Sequence, residues 1–157
     1  HFSNFQVYIS RKSLTNKNLQ VRLMRIVEIK ENKKQYLDLL LLADEQEDMI
    51  DRYLDRGKLF VLDDGGVKCE CVITDEGSGI LEIKNFATVL QHRNQGYART
   101  LIEFVAENYK EQFTVLQVGT GDSPFTIPFY EKCGFKKVDE LVNYGGDVDS
   151  IFARVIG

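Results

Sequence analysis

The chain has 157 residues and a formal charge of −4, with 43% apolar and 28% charged residues. These values are typical of one ordinary globular domain, and the negative charge argues against a general nucleic-acid-binding protein. No apolar run approaches about 18 residues, so we expect no membrane-spanning helix. The three cysteines cannot all pair with one another, which favours a reducing, cytoplasmic compartment.

The first 23 residues carry the weakest structural pattern. The start, HFSNFQVYIS, lacks both a basic leader and a long apolar stretch, so we expect no secretory signal. Phe5, Val7 and Ile9 alternate like a strand, but a polar stretch follows them. We therefore expect residues 1–23 to be an extension, native or not, and residues 24–157 to form the domain, beginning with the strand RIVEI.

Two helices and three strands are predicted next. KKQYLDLLLLAD places Leu37, Leu40 and Leu41 on one helical face. A second helix has apolar residues at helical spacing, which are Met49, Ile50, Tyr53 and Leu54. KLFVLD and VKCECVIT are strands on either side of the turn DDGG, and ILEIKNFATV is a third, longer strand.

The second half begins with RNQGYARTLIEF, a basic turn that leads into a helix with Leu101, Phe104 and Val105 at helical spacing. FTVLQVG is a strand, and TIPFYEKC is a short helix that Gly134 ends. FKKVDELV and DSIFARVI flank YGGD, a hairpin turn. The predicted order is β-α-α-β-β-β-α-β-α-β-β, a mixed α/β single domain without internal repeats.

The turn before this helix has the features of an anion site. A helix start exposes N–H groups without intrahelical partners, and the helix dipole adds about half a positive charge there. Gly96 and Ala98 leave the backbone uncovered, and Arg93 and Arg99 flank it. The pattern fits a phosphate or pyrophosphate, but neither a Walker loop nor a three-glycine dinucleotide fingerprint is present. A glycine that merely eases a tight turn is the structural alternative.

Two blocks together resemble the GNAT acetyltransferase superfamily. LEIKNFATVLQHRNQGYARTLIEFV is similar to its acetyl-CoA motif, a strand followed by Arg/Gln-x-x-Gly-x-Gly/Ala and a helix. PFYEKCGF, further along the chain, is similar to its Tyr-Glu-Lys-x-Gly-Phe motif. The predicted element order from Met24 onward also matches that fold. The resemblance implies a central mixed, mostly antiparallel sheet flanked by about four helices.

The resemblance also implies acetyl-CoA as cosubstrate and no metal. Backbone N–H groups of residues 94–99 would bind the CoA pyrophosphate, and residues 86–88 would pair with the pantetheine arm as an added strand. Ser123, a residue with a shorter side chain, stands where the family often has a CoA-contacting asparagine. The residues assigned to cofactor binding are Phe86, Ala87, Thr88, Arg93, Asn94, Gln95, Gly96, Tyr97, Ala98, Arg99 and Ser123.

Two residues match catalytic positions of the family. Tyr130 matches the tyrosine that acts as general acid near the sulfur, and a phenol is mostly protonated at neutral pH. An aromatic residue of the core is the alternative interpretation of Tyr130. Glu82 matches a strand glutamate that serves as general base in some relatives, and a solvated residue on an exposed sheet face is its alternative.

The implied function is acetyl transfer from acetyl-CoA to a primary amine of a small molecule or peptide, by direct attack. A CoA-binding regulatory module without catalysis and a protein that binds another phosphorylated ligand are the alternatives. We expect neither a nucleic-acid nor a membrane partner, and a homodimer is left open.

Two other clusters have simpler interpretations. Cys69 and Cys71 share one face of a strand, but no second Cys/His pair exists, so buried thiols are favoured over a zinc site. An acidic cluster lies between the first two helices and is either a solvated turn or an attractant for a cationic amine. Its members are Asp44, Glu45, Glu47, Asp48 and Asp51.

Overall fold

The computed structural model describes residues 5–11, 21–121, 123–142 and 145–157. Its strands are β1 (Phe5–Arg11), β2 (Val21–Ile29), β3 (Lys58–Asp63), β4 (Val67–Asp75), β5 (Ile80–Thr88), β6 (Val115–Thr120), β7 (Lys136–Val142) and β8 (Val148–Val155). Its α-helices are α1 (Leu37–Ala43), α2 (Glu47–Asp51), α3 (Tyr97–Tyr109) and α4 (Thr126–Lys132), and short 3-10 helices lie at Lys33–Tyr36 and Leu90–His92. None of these helices is long and apolar enough to cross a membrane.

The strands form one mixed sheet in the order β1-β2-β3-β4-β5-β6-β8-β7. The β1–β2, β2–β3, β6–β8 and β7–β8 pairs are antiparallel, whereas β5 and β6 are parallel. A parallel pair needs a crossover connection, which α3 supplies. The predicted mixed fold and its mostly antiparallel sheet are confirmed. The element order is as predicted from β2 onward, and β1 is an additional strand before it.

Three details differ from the sequence pattern or lie beyond it. β2 begins at Val21, before Met24, and pairs with β1, so the boundary between extension and domain stays a prediction. KKQYLDLLLLAD does not form one helix, because the backbone leaves helical geometry at Tyr36 (φ −102, ψ 19) between the 3-10 helix and α1. Residues 143–144 of the expected YGGD turn lie outside the described residues.

The chain divides into two compact units, and each buries its own apolar residues. The first consists of the described residues up to Val72 and of Asn85–Leu101. Its cluster contains Leu40, Ile50, Tyr53, Leu54, Leu59, Val61 and Val72. The second consists of Ile73–Lys84 and Ile102–Gly157. Its buried residues include Ile102, Val105, Leu116, Val118, Phe135 and Phe152.

Two leucines of α1 provide a matched test of the first cluster. Leu40 is 0% exposed and Leu42 is 44% exposed. Leu40→Ala should lower the free energy of unfolding by about 2–5 kcal/mol, because it removes buried methyl groups and leaves a cavity. Leu42→Ala should stay within about 0.5 kcal/mol of the wild type. Urea unfolding measures both, and equal losses in the two variants would contradict this packing.

Candidate active site

The turn that leads into α3 is an exposed loop with two left-handed backbone positions. Asn94 has φ 62 and Gly96 has φ 87. A Cβ built at Gly96 would meet nothing within 4 Å, so the glycine is required by its backbone conformation and not by crowding. Residues 93–96 are exposed. The loop therefore presents open backbone at the start of a helix of 13 residues.

Two hydrogen bonds from Thr100 orient the carbonyl oxygen of Gly96 into the first turn of α3. The Thr100 amide donates to this oxygen at 3.1 Å, and the Thr100 hydroxyl donates to it at 2.9 Å. The N–H groups of the first helical turn have no intrahelical acceptor in any α-helix. Arg93 and Arg99 are both exposed, so this end of α3 carries positive charge and N–H donors together.

The loop is supported at both ends by contacts with the β3–β4 hairpin. The Tyr97 ring is buried, and its hydroxyl donates to the Asp64 carboxylate at 2.6 Å. The Val89 amide donates to the carbonyl of Lys68 at 2.8 Å. Lys68 Nζ lies 3.2 Å from His92 Nε2. No local motif in the sequence marks Asp64 or Lys68, because their partners Tyr97 and His92 lie far along the chain.

Alternate residues of β5 differ in exposure along the whole strand. Leu81, Ile83, Asn85 and Ala87 are buried, whereas the residues between them are partly exposed. The parallel pairing of β5 with β6 covers only residues 80–83. Residues 86–88, assigned from the sequence to the pantetheine arm, lie beyond this paired segment.

Glu82, in the second unit, has a bonded partner at each of its two carboxylate oxygens. Its side chain is 15% exposed and forms an ion pair with Lys84. Gln117 Nε2 donates to its other oxygen at 2.7 Å. Lys84 also lies 3.6 Å from Glu76. Glu82 is therefore a mostly buried group with a cation and an amide beside it, and not a solvated surface residue.

Tyr130 lies on α4 among aromatic rings. It is 5% exposed, and its ring meets Phe129 and Phe135 edge-on with centroids 5.3 and 5.4 Å away. α4 ends at Lys132, and Gly134, the glycine that the sequence predicted to end it, follows two residues later with φ 88. The Phe135 amide then donates to the Tyr130 carbonyl at 3.0 Å, a helix-ending bond that holds the tyrosine backbone in place.

Ser123 lies three residues before α4 begins. Its hydroxyl oxygen accepts from the amide of Phe125 at 3.3 Å and from that of Thr126 at 3.4 Å. A short hydroxyl side chain often satisfies N–H groups at such a position. Its observed contacts are therefore local.

A family model of the acetyltransferase (GNAT) domain matches residues 55–137, more than half of the chain. The chain belongs to the GNAT acetyltransferases. The matched region contains β5, the exposed loop, α3 and α4. Membership makes this protein an acyltransferase, as the two sequence blocks indicated.

Three relatives illustrate how similar this GNAT protein is to known members. An uncharacterized N-acetyltransferase of Bacillus subtilis, YvbK, is 29% identical over 121 residues, which are 75% of this chain and 78% of the relative. An IAA acetyltransferase from Bacillus cereus is 28% identical, with 84% of this chain and 99% of that chain covered and a TM-score of 0.73. A GNAT family acetyltransferase from Elizabethkingia anophelis, solved with acetyl-CoA bound, is 25% identical, with 84% and 97% covered and a TM-score of 0.75.

The cysteines behave as buried thiols. Cys69, Cys71 and Cys133 are all buried, and burial raises the pKa of Cys69 to about 12. Within residues 5–11, 21–121, 123–142 and 145–157, no group of three or more His, Cys, Asp or Glu side chains could hold a metal ion. These residues thus provide no built metal site.

The acidic cluster between α1 and α2 is partly engaged by its neighbours. Lys34 Nζ lies 2.8 Å from Glu47 and 2.7 Å from Asp51. The Tyr53 hydroxyl donates to Asp44 at 3.2 Å. Glu45 and Asp48 are exposed, so the cluster retains negative charge at the surface.

A buried polar network that no sequence motif marks joins β5 to α1 and to the turn after α2. Asn85 Nδ2 donates to the Leu40 carbonyl at 2.9 Å and to the Tyr53 oxygen at 3.0 Å. Glu70 on β4 is 0% exposed. Neither of its carboxylate oxygens, nor Asn85 Oδ1, has a hydrogen-bond partner among the described residues. The available signal was KCECV, in which an acid interrupts an apolar strand.

Burial raises the pKa of the Glu70 carboxyl well above the usual range of a glutamate. Desolvation disfavours the charged form, and no charged partner among the described residues offsets it. Between the ordinary pKa and the raised one, the folded chain holds a proton that the unfolded chain has lost. The contribution of Glu70 to the free energy of unfolding is therefore fully present below the ordinary pKa of a glutamate. It is lost as the pH rises from that value toward the raised pKa.

Glu70→Gln should remove this loss, because an amide cannot ionise. The free energy of unfolding of the wild type should fall with pH relative to that of Glu70→Gln, by up to about 1.4 kcal/mol per pH unit within the window. Urea unfolding at a series of pH values measures the difference. Glu45→Gln, at an exposed position, is the control and should follow the wild type. Parallel curves for wild type and Glu70→Gln would mean that Glu70 is ionised when folded.

Proposed function

We propose that this GNAT acetyltransferase transfers the acetyl group of acetyl-CoA to a primary amine of a small molecule or peptide, by direct attack. The observation that carries the proposal is the exposed loop of residues 93–96, with its left-handed Gly96 and open space above it, at the start of α3. A bulky anion can approach such a backbone closely. The acetyl-CoA bound to the Elizabethkingia relative supports the same cosubstrate.

The cofactor-binding groups follow from this loop. N–H groups of residues 94–99 would hold the pyrophosphate of CoA, and Arg93 and Arg99 would add charge-assisted contacts from exposed positions. Residues 86–88 would pair with the pantetheine arm as an added strand. Their position beyond the β6-paired part of β5 is consistent with that role.

The chemistry needs a base, an oxyanion donor and an acid. Glu82 would accept the proton of the attacking amine, after its carboxylate exchanges a contact with Lys84 or Gln117. A backbone amide of residues 86–88 would donate to the thioester oxygen as negative charge develops there. Tyr130 would protonate the departing thiolate. Holding amine and thioester together supplies much of the rate by proximity.

The acceptor is an amine, as in other GNAT acetyltransferases, and we infer a preference for cationic amines. The exposed carboxylates of Glu45 and Asp48 support this inference, because negative charge raises the local concentration of cations. Small-molecule and peptide amines share this chemistry. A panel of both, assayed by release of free CoA, separates them.

Gly96→Glu tests the cofactor assignment. The carboxylate would repel the pyrophosphate and occupy the open space over the loop, so acetyl-CoA binding should fall by about 100-fold or more, the scale of a like charge in a binding site. Isothermal titration calorimetry measures the affinity.

Gly77→Glu is the matched control for this substitution. Gly77 has φ 83 and also has nothing within 4 Å of a built Cβ, so both variants carry the same charge and similar backbone strain. Gly77→Glu should bind acetyl-CoA like the wild type. Unchanged affinity in Gly96→Glu would contradict the pyrophosphate site.

Tyr130→Phe tests the general acid. The change removes one hydroxyl and keeps the ring between Phe129 and Phe135, so packing should survive. If Tyr130 protonates the thiolate, kcat should fall by about 100-fold or more with little change in acetyl-CoA affinity.

An acyl thioester with a more acidic leaving thiol should partly restore the rate of Tyr130→Phe, because that thiol needs less protonation. Tyr109→Phe, on α3, is the control and should keep full activity. A wild-type rate in Tyr130→Phe would leave Tyr130 as an aromatic residue of the core. Acetyl-CoA binding by the wild type without turnover of any amine would favour the regulatory alternative.

A further inference from the structure

The first unit contains buried oxygens that need a donor. Both carboxylate oxygens of Glu70 and Oδ1 of Asn85 are buried without a hydrogen-bond partner among the described residues. Buried polar groups in folded proteins almost always have a partner. These atoms are all acceptors while Glu70 is ionised, and one added proton would turn one of them into a donor.

Glu70 and Asn85 share one buried face of the sheet. Val72 packs in the cluster that contains Leu40 and Tyr53, and the Asn85 side chain bonds to the same two residues. Glu70 lies two positions before Val72 on β4, so its side chain points to the same side.

The hairpin of β4 and β5 brings the two residues close along the strands. At its open end the Val89 amide bonds to the Lys68 carbonyl at 2.8 Å. The Thr88 hydroxyl lies 3.5 Å from the Cys69 sulfur. Glu70 is therefore a cross-strand neighbour of residues 85–87, within the reach of a long side chain.

We propose that Glu70 is held as a neutral acid that donates its O–H to Asn85 Oδ1, and that it is thereby a positioning residue for residues 86–88. One proton then satisfies both groups and removes the buried charge. The donors form a single series: Glu70 donates to Asn85, Asn85 donates to Tyr53 and to the Leu40 carbonyl, and Tyr53 donates to Asp44.

The consequence for the site rests on the proposed function. Asn85 immediately precedes the segment proposed to pair with pantetheine, and its amide ties that segment to α1. When Glu70 ionises at alkaline pH, its carboxylate and Asn85 Oδ1 are both acceptors, and the hydrogen bond between Glu70 and Asn85 is lost. The other titratable groups around Glu70 are Tyr53, Asp44, Cys69 and Cys71. Burial raises the pKa of Tyr53 and Cys69 to about 12 and raises that of Cys71 as well.

The infrared spectrum of the protein without ligand tests the protonation state and its partner. The wild type should show a protonated-carboxyl C=O band at neutral pH that is absent in Glu70→Gln. Asn85→Leu removes the acceptor and should shift this band to higher frequency. A wild-type spectrum without the band, or a band that Asn85→Leu leaves unmoved, would overturn the proposal.

The affinity for acetyl-CoA tests the positioning role. It should be measured from about pH 6 to pH 10, since buried glutamates titrate as high as about pH 8–9. The wild type should lose affinity toward high pH relative to Glu70→Gln, which keeps a donor and cannot ionise. Glu70→Leu has no donor and should bind acetyl-CoA about tenfold more weakly at every pH. Equal affinity profiles for all three chains would show that Glu70 does not position residues 86–88.

The two experiments separate this proposal from the proposed function. If wild type, Glu70→Gln and Glu70→Leu all fail to bind acetyl-CoA, the cosubstrate assignment fails, and the infrared band still decides whether Glu70 donates to Asn85. If the wild type binds acetyl-CoA and the band is absent, the cosubstrate assignment stands and the role of Glu70 is wrong.

Discussion

The side-chain amide of Asn85 is the interaction on which the arrangement of the first unit depends. It is a buried amide on the one strand that leads to the exposed loop, and it reaches the carbonyl of Leu40 in α1 and the hydroxyl of Tyr53. Removing either partner would leave a buried polar atom without a hydrogen bond, which costs about 1–3 kcal/mol. The amide therefore fixes β5 against α1 and the turn that holds Tyr53 with directional bonds, which apolar contacts alone do not provide.

The loop before α3 combines an exposed surface with a buried support. Its outer side is open backbone flanked by two exposed arginines. Its inner side is held by the buried Tyr97–Asp64 hydrogen bond and by the contact of His92 with Lys68. A binding backbone must keep its N–H groups in place before the ligand arrives, since ordering them on binding would weaken the affinity. The long-range contacts supply that order without covering the surface.

Glu70 departs from the usual rule that an apolar strand contains apolar residues. A buried acid lowers stability at neutral pH relative to a neutral side chain of the same shape. Natural proteins accept such departures mainly near functional sites, and Glu70 neighbours the strand segment assigned to the pantetheine arm. The same physics acts on Cys69 and Cys71 beside it, because burial raises the pKa of a thiol as it does that of an acid.

Periodicity and glycine positions in the sequence were sufficient to predict the element order from β2 onward, the loop at Gly96 and the glycine just after α4, because neighbouring residues determine these features. Two motifs in the proper order were sufficient to identify the family. Only the tertiary structure decided that Asn85 contacts Leu40, 45 residues away, and that Tyr97 bonds Asp64, 33 residues away. It also decided that Glu70 is buried and that Glu82 forms an ion pair with Lys84. Burial and partners depend on how the strands and helices pack, and residues distant in sequence determine that packing.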